Sequence, residues 1–401
     1  GIYVDGKQTV RGDTTGPKSA QMVLRDPAVD FAVLETARGG LVRSGLGYDN
    51  TNVSACLNVS SDHLGLGGVD TLDDLAKIKR IVVEAATDTV ILNADDKNCL
   101  LMADYCDADH IFYVTMHHDH ALVKQHIDAG GKAAVLERAM NGDMITIYDN
   151  FTHISLIWTH LIPATIEGKA LHNVQNAMFA AAMAYSFGEN IDQIRLGLKT
   201  FNTTFSQAPG RMNVFDELPF RVILDYAHNP AAFASLTNLV DKFDNHERKI
   251  VIVSCPGDRR DEDILESTRI LAGHYDHFIL KADDNRRGRG EDEVPQLMKK
   301  GLMANGVSED AITIITDEVK AIRHGLEMGA EKDLLVVTGD NVARSWKQIV
   351  HFGDAQLKPG AKAEAISATA KPFDYLADED QPLISDDRGV RLARSEVEDG
   401  D

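Results

Sequence analysis

Glu35 ends one apolar run of this chain, Asp62 and His63 follow a second, and Asn93, Asp95 and Asp96 follow a third. The runs cover residues 31–34, 55–59 and 90–92, and their length and composition predict strands. Residues 72–86, between the last two, have the spacing of a helix and carry Lys77 and Lys79. Strands separated by a helix predict a parallel α/β sheet, in which ligands bind beyond the carboxyl ends of the strands. Carboxylates and an imidazole gathered there suit a hard divalent cation. The structural alternatives are a Glu35 carboxylate paired with Arg38 or Arg43 and a His63 ring bonded to backbone.

A second group lies further along. His172, Asn173 and Asn176 open an alanine-rich helix over residues 173–187, where a helix start can meet a ligand and an amide can face a base edge. Pro209, Gly210 and Arg211 follow, and then Asp225-Tyr226-Ala227-His228-Asn229-Pro230 directly after the apolar run 221–224. Asn229 also fits a simple helix cap. Two charged runs, residues 257–263 and 283–289, contain Asp258, Arg259, Arg260, Arg287 and Arg289. Their mixed charges could grip a substrate bearing both guanidinium and carboxylate, or could equally be solvated loops. The cluster His117-His118-Asp119-His120 has no partner at ligand spacing and reads as a solvated loop.

The elements that must position these groups form two α/β series. The first sheet is followed over residues 110–165 by a less regular stretch, with alternating runs at 144–148 and 154–158 that suggest a small antiparallel excursion. In the second series, strands are expected at 222–224, 250–254, 277–280, 312–315 and 334–337. Helices fit between them at 231–243, 261–273, 292–305 and 318–328. The expected domains are 1–208, 209–353 and a flexible acidic tail over 354–401.

Composition narrows the function. The 401 residues are 44% hydrophobic, and no run approaches the ~18 apolar residues of a membrane span, so a cytoplasmic protein is expected, with no membrane partner. A net charge of -21 excludes sequence-independent nucleic-acid binding, which needs a clustered basic face. Four scattered cysteines, with no C-x-x-C pair, predict neither a zinc ribbon nor a disulfide framework.

Taken in order, His172 to Asn176, Pro209 to Arg211 and Asp225 to Pro230 resemble the nucleotide-binding part of the Mur-type, ATP-dependent amide ligases. Within that group, Val33-Leu34-Glu35-Thr36-Ala37-Arg38-Gly39-Gly40, Asp62-His63-Leu64-Gly65, Ile162-Pro163-Ala164-Thr165 and Gly257-Asp258-Arg259-Arg260-Asp261 are most similar to the cyanophycin synthetases. The resemblance implies a Mur ligase-like central ATPase domain, truncated at its start, followed by a Rossmann-like carboxyl-terminal domain. It implies ATP and Mg²⁺ as cofactors, with Glu35, His63 and Lys79 at the metal and Lys79, His63 and Arg211 catalytic. Lys79 matches the lysine that such ligases carry as a carbamate; Lys77 competes, but Lys-x-x-apolar from Lys79 to Val82 fits better. His172, Asn173, Asn176, Arg211, Asp225 and His228 would hold the nucleotide, and the charged runs the substrate.

The implied reaction joins L-arginine to the side-chain carboxylate of a polyaspartate backbone through an acyl-phosphate, with arginine and the aspartate/arginine polymer as partners and a homo-oligomer as the assembly. The sequence departs from the family in one respect. Such an ATPase needs a Gly-rich phosphate loop, and no G-x-x-x-x-G-K-[ST] occurs in the 401 residues. The expectation is a carboxyl-terminal fragment, inactive by itself, completed by a missing amino-terminal portion or a partner chain. The alternatives are another Mur-type ligase, acting on a peptidoglycan precursor or folylpolyglutamate, and a non-catalytic module for polymer binding or assembly.

Overall fold

Strands that are apolar on both faces need helices on both sides, and the chain meets that need twice. The computed structural model describes residues 1–61, 64–65, 68–243, 245–352, 383–386 and 389–392. A small hairpin comes first, β1 (Ile2–Val4) and β2 (Lys7–Val10), then helices α1 (Pro17–Leu24) and α2 (Arg38–Ser44). The first sheet contains β3 (Thr51–Cys56), β4 (Ala86–Asn93), β5 (His110–Thr115), β6 (Lys132–Ala139), β7 (Gly142–Asp149) and β8 (Thr152–Trp158), and its strands lie side by side in sequence order. Strands β3 to β6 run parallel, and β7 and β8 return antiparallel.

Adjacent residues of β4 serve opposite faces. Ile91 joins Phe112, Val114 and Ala134 under α6 (Leu171–Ser186). Val90 and Leu92 join Leu75 and Val83 of α3 (Leu72–Glu84), together with residues near α4 (Lys97–Leu101) and α5 (Ala121–Asp128). α7 (Ile191–Thr200) completes this half and packs beside α6.

The second sheet is built from β9 (Asn213–Phe215), β10 (Arg221–Asp225), β11 (Arg248–Val253), β12 (His277–Leu280), β13 (Ile312–Ile314) and β14 (Asp333–Thr338). Its strand order is β13-β12-β11-β14-β10-β9, parallel apart from β9. Helices α8 (Pro230–Val240), α9 (Asp261–Leu271) and α10 (Glu293–Ala304) cover one face, and α11 (Glu318–Met328) and α12 (Val342–Val350) the other. The α9–α10 contact requires a glycine, since a Cβ at Gly301 would lie 2.2 Å from Thr268 Oγ1. Residues 1–352 form one compact unit. Separately, β15 (Leu383–Asp386) and β16 (Gly389–Leu392) pair antiparallel; the rest of the expected tail lies outside the described residues.

Two expectations are corrected. Residues 31–34 form no strand; among the described residues no strand pairs with them. The strand expected at 55–59 is β3, which ends at Cys56. Beyond it the backbone is drawn off the sheet, Val59 N–H to Asp96 Oδ2 at 2.8 Å and the Asn58 carbonyl to Lys79 Nζ at 2.8 Å. The antiparallel excursion expected from the runs 144–148 and 154–158 is β7 and β8, which return antiparallel along the same sheet, and the stretch 110–165 also supplies β5 and β6. The five strands expected in the second series are present, and the short antiparallel β9 is additional.

Candidate functional site

Glu35 and Lys79 line one cleft of about 750 Å³. Its walls are residues 29–38, the β3 edge with the Leu57-Asn58 turn, and the end of α6. A capping box sets the start of α3: Thr71 Oγ1 accepts from Asp74 N–H and Asp74 Oδ2 from Thr71 N–H, each at 3.1 Å. That start leaves Lys77 exposed and turns Lys79 inward, where its ammonium donates to the Asn58 carbonyl at 2.8 Å. Glu35 is exposed. His63 and Asp62 lie outside the described residues. Among the described residues no group of three or more His, Cys, Asp and Glu is arranged to hold a metal. Glu35 offers one suitable oxygen, but Lys79 as an ammonium repels a cation and would become a ligand only as an anionic carbamate.

A second convergence joins the two sheets. Asp225 ends β10 and is half-buried. Burial raises its pKa, opposed by the Met212 N–H at 2.9 Å and by the charges of Arg211 and His172. His172, in the first turn of α6, is itself held below the ordinary histidine value by burial, against the pull of the Asp225 charge. The Arg211 guanidinium lies 5.7 Å from the centre of the Tyr226 ring. Its position follows from the preceding turn: Gly210 adopts φ +70°, donates to Asn213 Oδ1 at 2.7 Å, and has no room for a Cβ, which would meet Val342 at 2.7 Å.

The remaining expected nucleotide residues are held locally in different ways. His228 Nδ1 lies 2.8 Å from the Tyr226 carbonyl, and Asn229 caps α8 by accepting from Ala232 N–H at 2.9 Å. Asn173 donates its amide to the Ala164 carbonyl at 2.7 Å, which fixes the start of α6. Asn176 is exposed, with its amide 3.4 Å from Asn173 Oδ1.

The charged runs are knitted together rather than loosely solvated. Arg287 Nη1 reaches both oxygens of Asp258, at 2.9 and 2.8 Å, and Asp258 also accepts from the buried Arg259 at 2.9 Å. Arg289 holds the Gly257 and Arg259 carbonyls and Asp261. Arg260 is exposed and paired with Asp263 one turn along its own helix. Asp263 is in turn reached by Ser61 Oγ at 3.3 Å, a bond from the loop after β3 to the start of α9.

Sequence reasoning missed the most deeply buried charges. Lys281, 1% exposed at the end of β12, lies 2.9 Å from Glu318 Oε2 and 3.6 Å from Asp283. Glu318 also accepts from Arg344, Ser345 and the Asp340 and Asn341 N–H groups. Burial alone would raise the Glu318 pKa, but the Lys281 charge and these donors hold it at about 2. Asp340 is pushed up by burial and by the Asp283 charge. A small cavity of about 20 Å³ opens between Tyr226, His228, Lys281, Asp283, Arg287 and Asp340. The one sequence signal was positional, since Lys281 follows an apolar strand as Asp225 does.

Comparison with known proteins agrees with this architecture. The Mur ligase middle domain matches residues 4–184, and the Mur ligase glutamate ligase domain matches residues 210–341. A cyanophycin synthetase from Trichormus variabilis is 41% identical over 352 residues, covering 87% of this chain and 38% of the relative. The chain thus spans well under half the length of that curated relative. Among solved structures, MurF from Acinetobacter baumannii superposes with a TM-score of 0.61 at 17% identity, covering 86% of this chain and 70% of the other. The folylpolyglutamate synthase of Mycobacterium tuberculosis complexed with ADP gives 0.56 at 17% identity, covering 75% and 63%. With both sheets in place and both domains matched, the chain belongs to the Mur ligases and is a homologue of the Mur-like region of the cyanophycin synthetases.

Proposed function

We propose that this chain is the Mur-type module of an ATP-dependent amide ligase that adds L-arginine to the side-chain carboxylate of a polyaspartate backbone. The observation that carries this reading is the meeting of His172 at the start of α6 and Arg211 in the turn before β9 with Asp225 at the end of β10. The homology to cyanophycin synthetases supports the choice of arginine and polymer.

Each residue then has a task. Asp225 accepts from ribose hydroxyls, Arg211 neutralises phosphate charge, and His172, Asn173, Asn176 and His228 frame the nucleotide. Glu35, with His63 and a carbamylated Lys79, would hold magnesium, which when bound offsets charge on the transferred phosphoryl group. Asp258, Arg259 and Arg287 present paired opposite charges to arginine, and Arg260 and Arg289 border them. The reaction activates the aspartate carboxylate as an acyl-phosphate, which the arginine amine attacks with loss of phosphate.

Nucleotide binding belongs to the residues present. Because no Gly-rich phosphate loop occurs in the sequence, efficient turnover is assigned to the chain together with a polypeptide that carries one. The test is calorimetric titration of the full chain with ADP, followed by phosphate release from ATP in the presence of polyaspartate and arginine. The expected result is saturable ADP binding, weakened at least tenfold by Arg211→Ala and by Asp225→Asn. Release should be stimulated by arginine but not by lysine or glutamate once the loop-bearing polypeptide is added. Absence of ADP binding overturns the nucleotide assignment, and stimulation by a peptidoglycan precursor or folate instead of arginine overturns the substrate.

A further inference from the structure

Cys56 ends β3 and Cys99 lies in α4, and their sulfurs are 3.5 Å apart, with the Cys99 thiol donating to Cys56. Cys99 is fully buried, whereas Cys56, though only 6% exposed, forms part of the wall of the cleft of about 750 Å³. Buried thiols usually serve as small apolar side chains. That description suits Cys255, whose pKa burial pushes up to about 12. Cys106 in turn bonds to the Val83 carbonyl at 3.6 Å. The Cys56–Cys99 pair differs from both, since its two sulfurs face each other and one of them borders a cleft wide enough for small molecules.

The backbone around the pair is braced from both sides. One carboxylate oxygen of Asp96 accepts from Cys99 N–H at 3.0 Å and the other from Val59 N–H at 2.8 Å, and the Asn93 amide donates to the Leu57 carbonyl at 2.7 Å. The turn so held, Leu57 to Val59, is the one whose Asn58 carbonyl receives the Lys79 ammonium. A disulfide brings its sulfurs to ~2.05 Å, so the pair must close by about 1.5 Å, within the reach of two short side chains that rotate about Cα–Cβ. The hydrogen bond from Cys99 holds the Cys56 thiol below the ordinary thiol range, against burial, and the thiolate is the nucleophilic form.

We propose that Cys56 and Cys99 form a reversible disulfide when a hydroperoxide enters the cleft, and that this bond clamps the turn beside Lys79. The Cys56 thiolate attacks the peroxide and the O–O bond breaks. Cys56 becomes a sulfenic acid, and for hydrogen peroxide the departing hydroxide leaves as water with the proton that Cys56 gave up. The Cys99 sulfur then displaces the sulfenic hydroxyl: the S–S bond forms, the S–O bond breaks, and the hydroxide leaves as water with the Cys99 proton. Two electrons pass from the two sulfurs to the peroxide, and a dithiol restores both thiols by exchange. No nucleotide or substrate residue takes part, so the disulfide stands or falls separately from the ligase reading.

The test uses the full chain, reduced, treated with hydrogen peroxide, quenched with N-ethylmaleimide in denaturant and mapped by mass spectrometry. All four thiols should alkylate before treatment and only Cys106 and Cys255 after it, with a Cys56–Cys99 cross-link that dithiothreitol reverses. Cys99→Ala should leave a Cys56 sulfenic acid that dimedone captures. Cys56→Ala should slow oxidation of Cys99 at least tenfold, because Cys99 is fully buried. In the cross-linked parent, hydrogen exchange across residues 57–59 should slow at least threefold. The mapping and the exchange are read on the parent, so neither depends on a variant that folds. The disulfide is overturned if all four thiols still alkylate after treatment, if the cross-link involves Cys106 or Cys255 or joins two chains, or if it forms only in denaturant. Unchanged exchange across 57–59 in the cross-linked protein would overturn the clamp.

Discussion

Replacing Glu318 by Gln removes the carboxylate that faces the Lys281 ammonium in the interior of the second sheet's strand-end network. Two independent arguments give the cost. The Glu318 pKa is about 2 in the folded protein against an ordinary 4.5, and this gap of about 2.5 units corresponds to on the order of 3 kcal/mol. Removing one partner of a buried ion pair strands the other, at about 3–5 kcal/mol. The sign follows from the depressed pKa: the stabilisation is fully present above about pH 4.5 and is lost as pH falls toward 2. Glu318→Gln should therefore lower the urea unfolding free energy by about 3 kcal/mol at pH 7, and the gap between variant and parent should narrow by about 1–2 kcal/mol by pH 3. A variant within about 1 kcal/mol of the parent at pH 7, or a gap that does not change with pH, would refute the assignment of a charged, paired Glu318.

Further outcomes are expected elsewhere in the site. The His172 imidazole, followed by NMR, should titrate below 6.5, and Asp225→Asn should lower it further by removing the opposing charge; an unchanged titration would disconnect the two residues. Because the folded value is depressed, burial of neutral His172 stabilises the protein above about pH 6.5 and that contribution fades as pH falls. Gly210→Ala combines a φ of +70° with a contact 2.7 Å from Val342, so it should cost at least about 1 kcal/mol in chemical denaturation, and a neutral result would mean the turn can relax. A carbamate resonance from ¹³C-bicarbonate should be present in the parent and absent in Lys79→Met; persistence of the signal would shift the assignment to Lys77.

What was legible in the sequence depended on distance along the chain. Asp225 after the run 221–224 and Asn229 before Pro230 are local signals, and both appear where local rules place them, at a strand end and a helix cap. The alanine-rich α6 was equally legible, since small residues at close spacing suit packing on a sheet. Residues 31–34 misled because an apolar run does not report whether a neighbouring strand lies within hydrogen-bonding reach, and this one is not even buried, with Val33 72% exposed. The buried Lys281–Glu318 pair was invisible for a related reason: the residues lie on separate elements, β12's end and α11, and the pairing of β12 with β13, continued by the Ile315 N–H to Leu280 carbonyl bond, brings them together. The 110–165 stretch was read as less regular because β6 to β8 mix polar and apolar residues and are buried over only part of their length, whereas β4 is buried continuously from Thr89 to Asn93.

The unequal burial of the two halves bears on the order in which the site could be assembled. Asp225 and Glu318 are already desolvated and held by several donors, so their electrostatics are preorganised in this chain alone. Glu35 is exposed, and the one hydrogen bond described for Lys79 runs to the Asn58 carbonyl. A charge at 4 Å is worth about 1 kcal/mol in water and about 4 kcal/mol at the effective dielectric near a protein surface. The proposed nucleotide contacts thus rest on groups already fixed in place, whereas the proposed metal site requires Lys79 to exchange its bond to the Asn58 carbonyl for a carbamate before it offers a ligand beside Glu35.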